Sequence, residues 1–187
     1  MTPVRTERLI LRNWEERDRP LFHRLNADDT VMEFYDFRRS RAESDAVMDL
    51  FRTGIAEHGY GLCAVEIAAT GETVGYVGID QVEIPPRLPA GTTEIGWRLV
   101  PEYWGNGYVT EAARAWLAVA FERLAVEAVV SFAVWNNRRS TAVMERLGMR
   151  RDLGADFDHP RVFEPSLRRH VLYRLTRRDW QAANGAA

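Results

Sequence analysis

The run Val100-Pro-Glu-Tyr-Trp-Gly-Asn-Gly-Tyr-Val-Thr-Glu111 places two glycines, one residue apart, between a strand-like and a helix-like segment. Gly105 and Gly107 lack a Cβ, so backbone N–H groups there can approach a bulky anion that other residues would hold off. After them Val109, Ala112, Ala113, Trp116, Leu117, Ala120, Phe121 and Leu124 recur at offsets of three and four, the apolar face of a helix. The first turn of such a helix presents N–H donors without intrahelical acceptors, together with the positive end of the macrodipole. These features describe a phosphate or pyrophosphate site. The glycines alone also fit an ordinary strand-to-helix turn.

The ligand can be narrowed. A nucleotide-hydrolase P-loop needs Lys-Ser or Lys-Thr after its last glycine, whereas Gly107 is followed by Tyr108 and Val109. A dinucleotide fingerprint needs a third glycine and opens a βαβ unit, and neither is found here. The stretch Glu94-Ile-Gly-Trp-Arg-Leu-Val-Pro-Glu-Tyr-Trp-Gly-Asn-Gly-Tyr-Val-Thr-Glu111 resembles the acetyl-CoA-binding core of the GNAT N-acetyltransferases. It is most similar to the branch that acetylates ribosomal-protein N-termini. Thr6-Glu-Arg-Leu-Ile-Leu-Arg12 resembles the first strand of that branch, and Asn137-Arg-Arg-Ser140 with Met144-Glu-Arg-Leu-Gly-Met149 its second cofactor-side motif. The blocks stand in family order and span nearly the whole chain. The chain departs from the family in having Val109 where a Gly or Ala is usual; its N–H is kept, and its side chain is expected to turn into the helix core.

The resemblance implies roles. Main-chain N–H groups of Gly105, Asn106, Gly107, Tyr108, Val109 and Thr110 would hold the diphosphate of acetyl-CoA. Leu99 would meet the thioester, Trp97 would wall the pantetheine arm, and Asn137 would hydrogen-bond that arm while capping its helix. No metal is implied, and His23, His58, His159 and His170 are too scattered in sequence to suggest a ligand set.

Acetyl transfer to an amine needs a neutral amine, a polarised carbonyl and a proton for the departing thiolate. At pH 7 deprotonation costs about 1.4 kcal/mol for an α-amine and about 4.6 for a lysine side chain. A carboxylate acting through water suffices for the former. Glu94 is the base candidate: period-two alternation sets it with Gly96 and Arg98, opposite Ile95, Trp97 and Leu99. It could equally be a solvated strand-end carboxylate or a partner of Arg98. Glu111, in the first helical turn, reads as complementing the dipole. Many family members carry a tyrosine acid where this chain has Met144; the branch it resembles implies a serine, here Ser140. With Asn137 as N-cap, Ser140 falls at N3, a good helix-start residue without any catalysis.

The elements that must position these groups follow from pattern. Leu9 to Trp14 alternates as a strand, Leu21, Phe22 and Leu25 mark a helix, and Val31, Met32, Phe34 and Tyr35 a short second one. Ser40 and Glu43 form a capping box for a longer helix that Gly59 ends. Strands are expected at Tyr60 to Ala68 and Thr73 to Val82, then an irregular loop through Pro85, Pro86, Pro89 and Gly91, then a strand at Thr93 to Val100. A strand at Ala128 to Val134, a helix at Arg138 to Leu147, a strand from Met149, a polar loop from Asp156 to Arg168 and a strand at His170 to Leu175 complete the chain. Asp156, Asp158 and His159 would orient a cationic acceptor or simply be solvated.

The fold class expected is α/β (α+β): a mixed sheet of six to seven strands with helices on both faces, which the resemblance implies is splayed beside Glu94 to Val100. The chain is read as a single domain over residues 1–187, 46% hydrophobic. Its net charge of −2 gives no support to nucleic-acid binding. The single cysteine, Cys63, excludes an intrachain disulfide and reads as a buried small hydrophobe. No apolar run suits a signal peptide or a membrane span, so a cytoplasmic monomer or homodimer is expected. The expectation is an acetyl-CoA-dependent N-acetyltransferase for a protein or peptide α-amine. A small-amine acetyltransferase and a non-catalytic acyl-CoA-binding module are the alternatives.

Overall fold

Ser40 and Glu43 do what their spacing predicts. Glu43 N–H donates to the Ser40 hydroxyl (3.3 Å), Ser40 N–H donates to the Glu43 carboxylate (2.8 Å), and Gly59 closes the helix at φ +78°. That helix is one of the elements in the computed structural model, which describes residues 1–185 in two units: Met1–Asp80 with Gly96–Ala115, and Gln81–Ile95 with the chain from Trp116 onward.

The first unit contains β1 (Val4–Arg5), β2 (Leu9–Arg12), α1 (Arg19–Ala27), α2 (Arg41–His58), β3 (Leu62–Ile67) and most of β4 (Thr73–Ile84). The C-terminal part of β5 (Leu88–Leu99) and the start of α3 (Tyr108–Ala118) belong to it too. Strand order here is β1-β2-β3-β4-β5. Leu9 and Leu11 pair with Ile67 and Val65 in antiparallel register, and the alternation buries Leu9, Leu11 and Val65. Trp14, Phe22, Phe51 and Tyr76 pack edge to face at centroid distances of 4.8 to 6.4 Å. The buried Trp14 indole donates to Leu62 O at 2.8 Å.

Gly78 is required by approach rather than by conformation: a Cβ built there would lie 1.8 Å from Gly61 O. Gly78→Ala is therefore expected to cost about 3 kcal/mol, the upper end for overpacking, because the obstruction is backbone and cannot rotate away. Urea unfolding at an unchanged slope would measure it.

The second unit contains the remainder of β4, β5 and α3, then β6 (Ala128–Val134), α4 (Arg138–Arg146), β7 (Arg150–Arg151), β8 (Phe157–Asp158), α5 (Pro165–Arg168), β9 (Arg169–Thr176) and α6 (Arg177–Asn184). Its order is β4-β5-β6-β9-β7, with β8 also on β9. The pairing β5·β6 is parallel, with Glu94 opposite Val130; β6·β9 is antiparallel from Ala128↔Thr176 to Val134↔His170. Ile84, Leu88, Val130, Phe157 and Leu172 form a core cluster of this unit. The mixed α/β class is as expected: among the described residues six strands are four residues or longer, and β1, β7 and β8 add two-residue pieces.

Several boundaries differ from expectation. Val31 to Tyr35 forms turns and no helix, because the Asp28 carboxylate accepts the N–H of Thr30 and of Val31 and starts a turn instead. The expected proline loop is mostly strand: Arg87 N–H donates to Ile84 O in a tight turn, and β5 resumes at Leu88. Past Ala118 the helix continues as a π-helical turn, Val119–Arg123, whose extra residue rotates Leu124 out to 40% exposure. The Asp156 to Arg168 stretch contains β8 and α5, since Phe157 is buried rather than polar surface. A helix not among those expected, α6, follows β9, with Thr176 and Asp179 as its capping pair: Asp179 N–H donates to Thr176 Oγ1 at 3.1 Å.

Candidate active site

In the first unit, the strand end and the glycine loop are fastened to each other. Val100 N–H donates to Val74 O (3.1 Å), Pro101–Tyr103 makes one 3₁₀ turn, and the Trp104 indole N–H donates to Leu99 O (2.8 Å). Gly105 and Gly107 both lie at φ +79°, the left-handed region that glycine alone enters without strain. A Cβ built on Gly105 would meet no heavy atom within 4 Å; on Gly107 it would meet only Arg8 Nη2, at 3.5 Å. The main chain at these positions therefore borders open space. The first intrahelical bond runs from Glu111 N–H to Gly107 O (3.0 Å), so the amides of Tyr108, Val109 and Thr110 precede it at the positive end of α3. Val109 is half-buried, and its side chain turns only partly into the helix core.

Glu111 has a larger part than dipole complementarity. Its carboxylate accepts from Thr6 Oγ1 (2.6 Å), Arg8 N–H (2.9 Å) and Arg8 Nε (2.7 Å). Burial works against its charge, but these hydrogen bonds outweigh it and hold the carboxyl below its ordinary range. Arg8 in turn donates to Asn106 O (3.1 Å) and stacks over the Tyr108 ring at 4.8 Å. The β1–β2 turn thus braces both the loop and the helix start. Nothing in the sequence pointed to this brace, because Arg8 and Glu111 lie 103 positions apart.

Leu99 is buried, Trp97 half-buried. Arg98, between them, donates through Nη1 to Leu25 O (3.1 Å) and Asn26 Oδ1 (2.9 Å).

In the second unit Glu94 is half-buried on β5, beside Thr93, whose hydroxyl accepts from Gln81 Nε2 at 3.1 Å. Asn137 caps α4, its Oδ1 accepting the Ser140 N–H at 3.1 Å. The cap uses the Ser140 amide and leaves its half-buried side chain outside that interaction. Met144 is buried. Asp156 is ion-paired with Arg151, and Asp158 lies 3.4 Å from Arg169, so both aspartates of that loop already have cations beside them. His159 and His170, scattered in sequence, lie with ring centroids 5.1 Å apart, yet no group of three or more metal-ligating side chains occurs among the described residues. Burial pushes the Cys63 thiol far above its ordinary range, which suits a packed small hydrophobe and no nucleophile.

Residues 8–150 match the family model described as an acetyltransferase (GNAT) domain. The chain belongs to the GNAT acetyltransferase family, whose members use acetyl-CoA, and it is an N-acetyltransferase of that family. It is 29% identical over 184 residues to an FsC-acetyl coenzyme A-N(2)-transacetylase of Aspergillus fumigatus, covering 95% of this chain and 77% of that one. The fold matches a GNAT acetyltransferase from Bacillus anthracis at TM-score 0.78, 22% identity, with 95% of this chain and 99% of that one covered. A ribosomal-protein-S5-alanine acetyltransferase from Vibrio fischeri superimposes at TM-score 0.74 with 16% identity, covering 96% and 99%. No helix among the described residues is long and apolar enough to cross a membrane.

The residues fit acetyl-CoA. Two left-handed glycines bordering open space, followed by three helix-start amides, form an uncharged donor set suited to a diphosphate.

Proposed function

We propose that the protein moves an acetyl group from acetyl-CoA to a primary α-amine at a peptide or protein N-terminus, by direct attack of the amine. The observation that carries the reading is the open amide cradle from Gly105 to Thr110. When bound, acetyl-CoA supplies an electrophilic carbonyl carbon and a thiolate leaving group. Gly105, Asn106, Gly107, Tyr108, Val109 and Thr110 contribute main-chain donors to the diphosphate, Leu99 meets the thioester, Trp97 walls the pantetheine arm, and Asn137 hydrogen-bonds that arm. Glu94, directly or through one water, accepts the proton that the amine gives up as its C–N bond forms and the C–S bond breaks. Ser140 returns a proton to the sulfur. Only about 1.4 kcal/mol is needed to strip an α-amine at pH 7, within reach of a carboxylate.

Glu94→Ala is expected to lower kcat by about 100-fold at pH 7, with recovery as pH rises towards that of the free amine. Ser140→Ala is expected to lower kcat by a similar factor of about 100. The Asn137 cap uses the Ser140 amide, so α4 survives that substitution and the loss reads as chemistry. Thiol release with a panel of peptides, amino acids and polyamines measures both. Wild-type kcat in the two variants would remove these residues from the reaction, and turnover confined to polyamines would remove the α-amine.

A further inference from the structure

Arg98 and Arg39 are an unneutralised pair. Arg98 Nη1 (2.9 Å) and Arg39 Nη1 (3.2 Å) both donate to the same neutral acceptor, Asn26 Oδ1. That amide is itself fixed, for Asn26 is buried and its Nδ2 donates to Phe22 O at 2.8 Å. Two guanidiniums on one carbonyl oxygen repel each other. No carboxylate among the described residues lies within ion-pairing distance of either; the carboxylate that acts on Arg39, Glu43, already accepts both the N–H and the O–H of Ser40. Burial, and then the charge of Arg98, depress the pKa of Arg39.

Several other arginines of this unit have a carboxylate partner. Arg12 has Asp18 and Glu66, Arg8 has Glu111, Arg24 has Glu102, and Arg38 has Asp29. The pair differs from these in having none, and half-buried charge without a counter-ion is costly. Its surroundings suit an organic anion. Arg98 stacks on Tyr35 (4.3 Å) and reaches towards Tyr76 (5.5 Å), Arg39 stacks on Phe37 (4.4 Å), and Tyr35 and Phe37 are exposed. Arg98 Nε is buried with no hydrogen-bond partner among the described residues. Arg98 directly precedes Leu99, whose carbonyl the loop tryptophan holds, so the pair adjoins the strand end from which the cradle begins.

We infer that Arg98 and Arg39, with Tyr35 and Phe37, bind a carboxylate carried by the acceptor, so that the favoured amines are acidic: amino acids, or peptides with an acidic residue at the N-terminus. This rests on the α-amine reading and narrows it. A carboxylate supplies the missing counter-charge, its two oxygens match the guanidinium fork, and the rings cover its apolar part.

The test pairs acceptors that differ only in charge: glycine against glycinamide, and peptides beginning Asp or Glu against the same peptides beginning Asn or Gln. Thiol release is expected to show kcat/KM at least about 30-fold higher for each acid, a factor of the size that desolvated charge pairs produce. In Arg39→Gln the ratio is expected to fall below about 3, with KM for acetyl-CoA unchanged. A purely structural Arg39 would lower all acceptors alike and leave the ratio intact, which overturns the inference; so would wild-type ratios near one. A raised KM for acetyl-CoA in Arg39→Gln would assign the pair to the cosubstrate and also overturn it. Calorimetry with the unreactive product analogue N-acetylglycine and with N-acetylglycinamide separates this from a failure of the α-amine reading. Binding of the first alone, lost in Arg39→Gln, upholds the carboxylate site even without turnover, and no binding of either refutes it.

Discussion

Gly105→Val is expected to weaken acetyl-CoA binding by about 100-fold or more, roughly 2.7 kcal/mol, while the protein stays folded. Two effects combine. The residue sits at φ +79°, so a β-branched side chain there strains the backbone by about 1–2 kcal/mol. The added side chain also projects into the open space that borders the amides, since no heavy atom lies within 4 Å of its Cβ. Gly71 supplies the control. It lies at φ +71° in the β3–β4 turn, again with no heavy atom within 4 Å of a Cβ, and it belongs to no proposed site. Gly71→Val should match the stability loss and leave binding alone. Calorimetric titration with coenzyme A measures the difference. Equal affinities in the two variants would show that the loop does not grip the diphosphate.

Arg12→Met should be the most destabilising single change, at about 3–5 kcal/mol, or a melting temperature lower by roughly 10 °C. Every N–H of Arg12 is used. Nε donates to Glu66 (2.7 Å), Nη1 to Asp18 (2.7 Å) and Asn13 O (3.0 Å), and Nη2 to Asp18 (3.1 Å) and Thr73 Oγ1 (2.8 Å). Asp18 is 2% exposed and also accepts from Thr73 and from Glu15 N–H. Removing the guanidinium strands a buried carboxylate; replacing both partners by apolar groups would cost far less. The sign with pH is fixed. Burial by itself would raise the Asp18 pKa, but the hydrogen bonds from Arg12, Glu15 and Thr73 outweigh it and leave it lowered. Its contribution is therefore complete above its unfolded pKa of about 3.9 and is lost as pH falls through the lower folded value. The difference between Arg12→Met and wild type should narrow below about pH 4, and Asp18→Asn added to Arg12→Met should recover part of the loss. Denaturant curves between pH 3 and pH 7 measure both; a pH-independent difference would remove Asp18 from the account.

Local chemistry made much of this protein legible in its sequence. Ser40, Glu43 and Gly59 mark their helix because capping partners are three residues apart and a left-handed C-terminus needs glycine. Gly105 and Gly107 announce the loop for the same conformational reason. Asn137 announces the α4 cap, and the apolar run of Ala128 to Val134 marks β6. Where the reading failed, a nearby competitor had intervened: the Asp28 side chain against a helix at Val31, a tight turn against a proline loop, a π-helical turn against the periodicity that would bury Leu124.

What tertiary structure alone decided is the pairing of groups remote along the chain. Glu111 meets Thr6 and Arg8, Arg12 meets Glu66, and Arg98 and Arg39 converge on Asn26. Such contacts leave no periodic trace, because any charged residue on a solvated face has the same local pattern as one that will find a partner 50 or 100 positions away. Hydrophobic period and backbone conformation are properties of a short segment and can be read from it; the counter-ion of a guanidinium is a property of the folded chain.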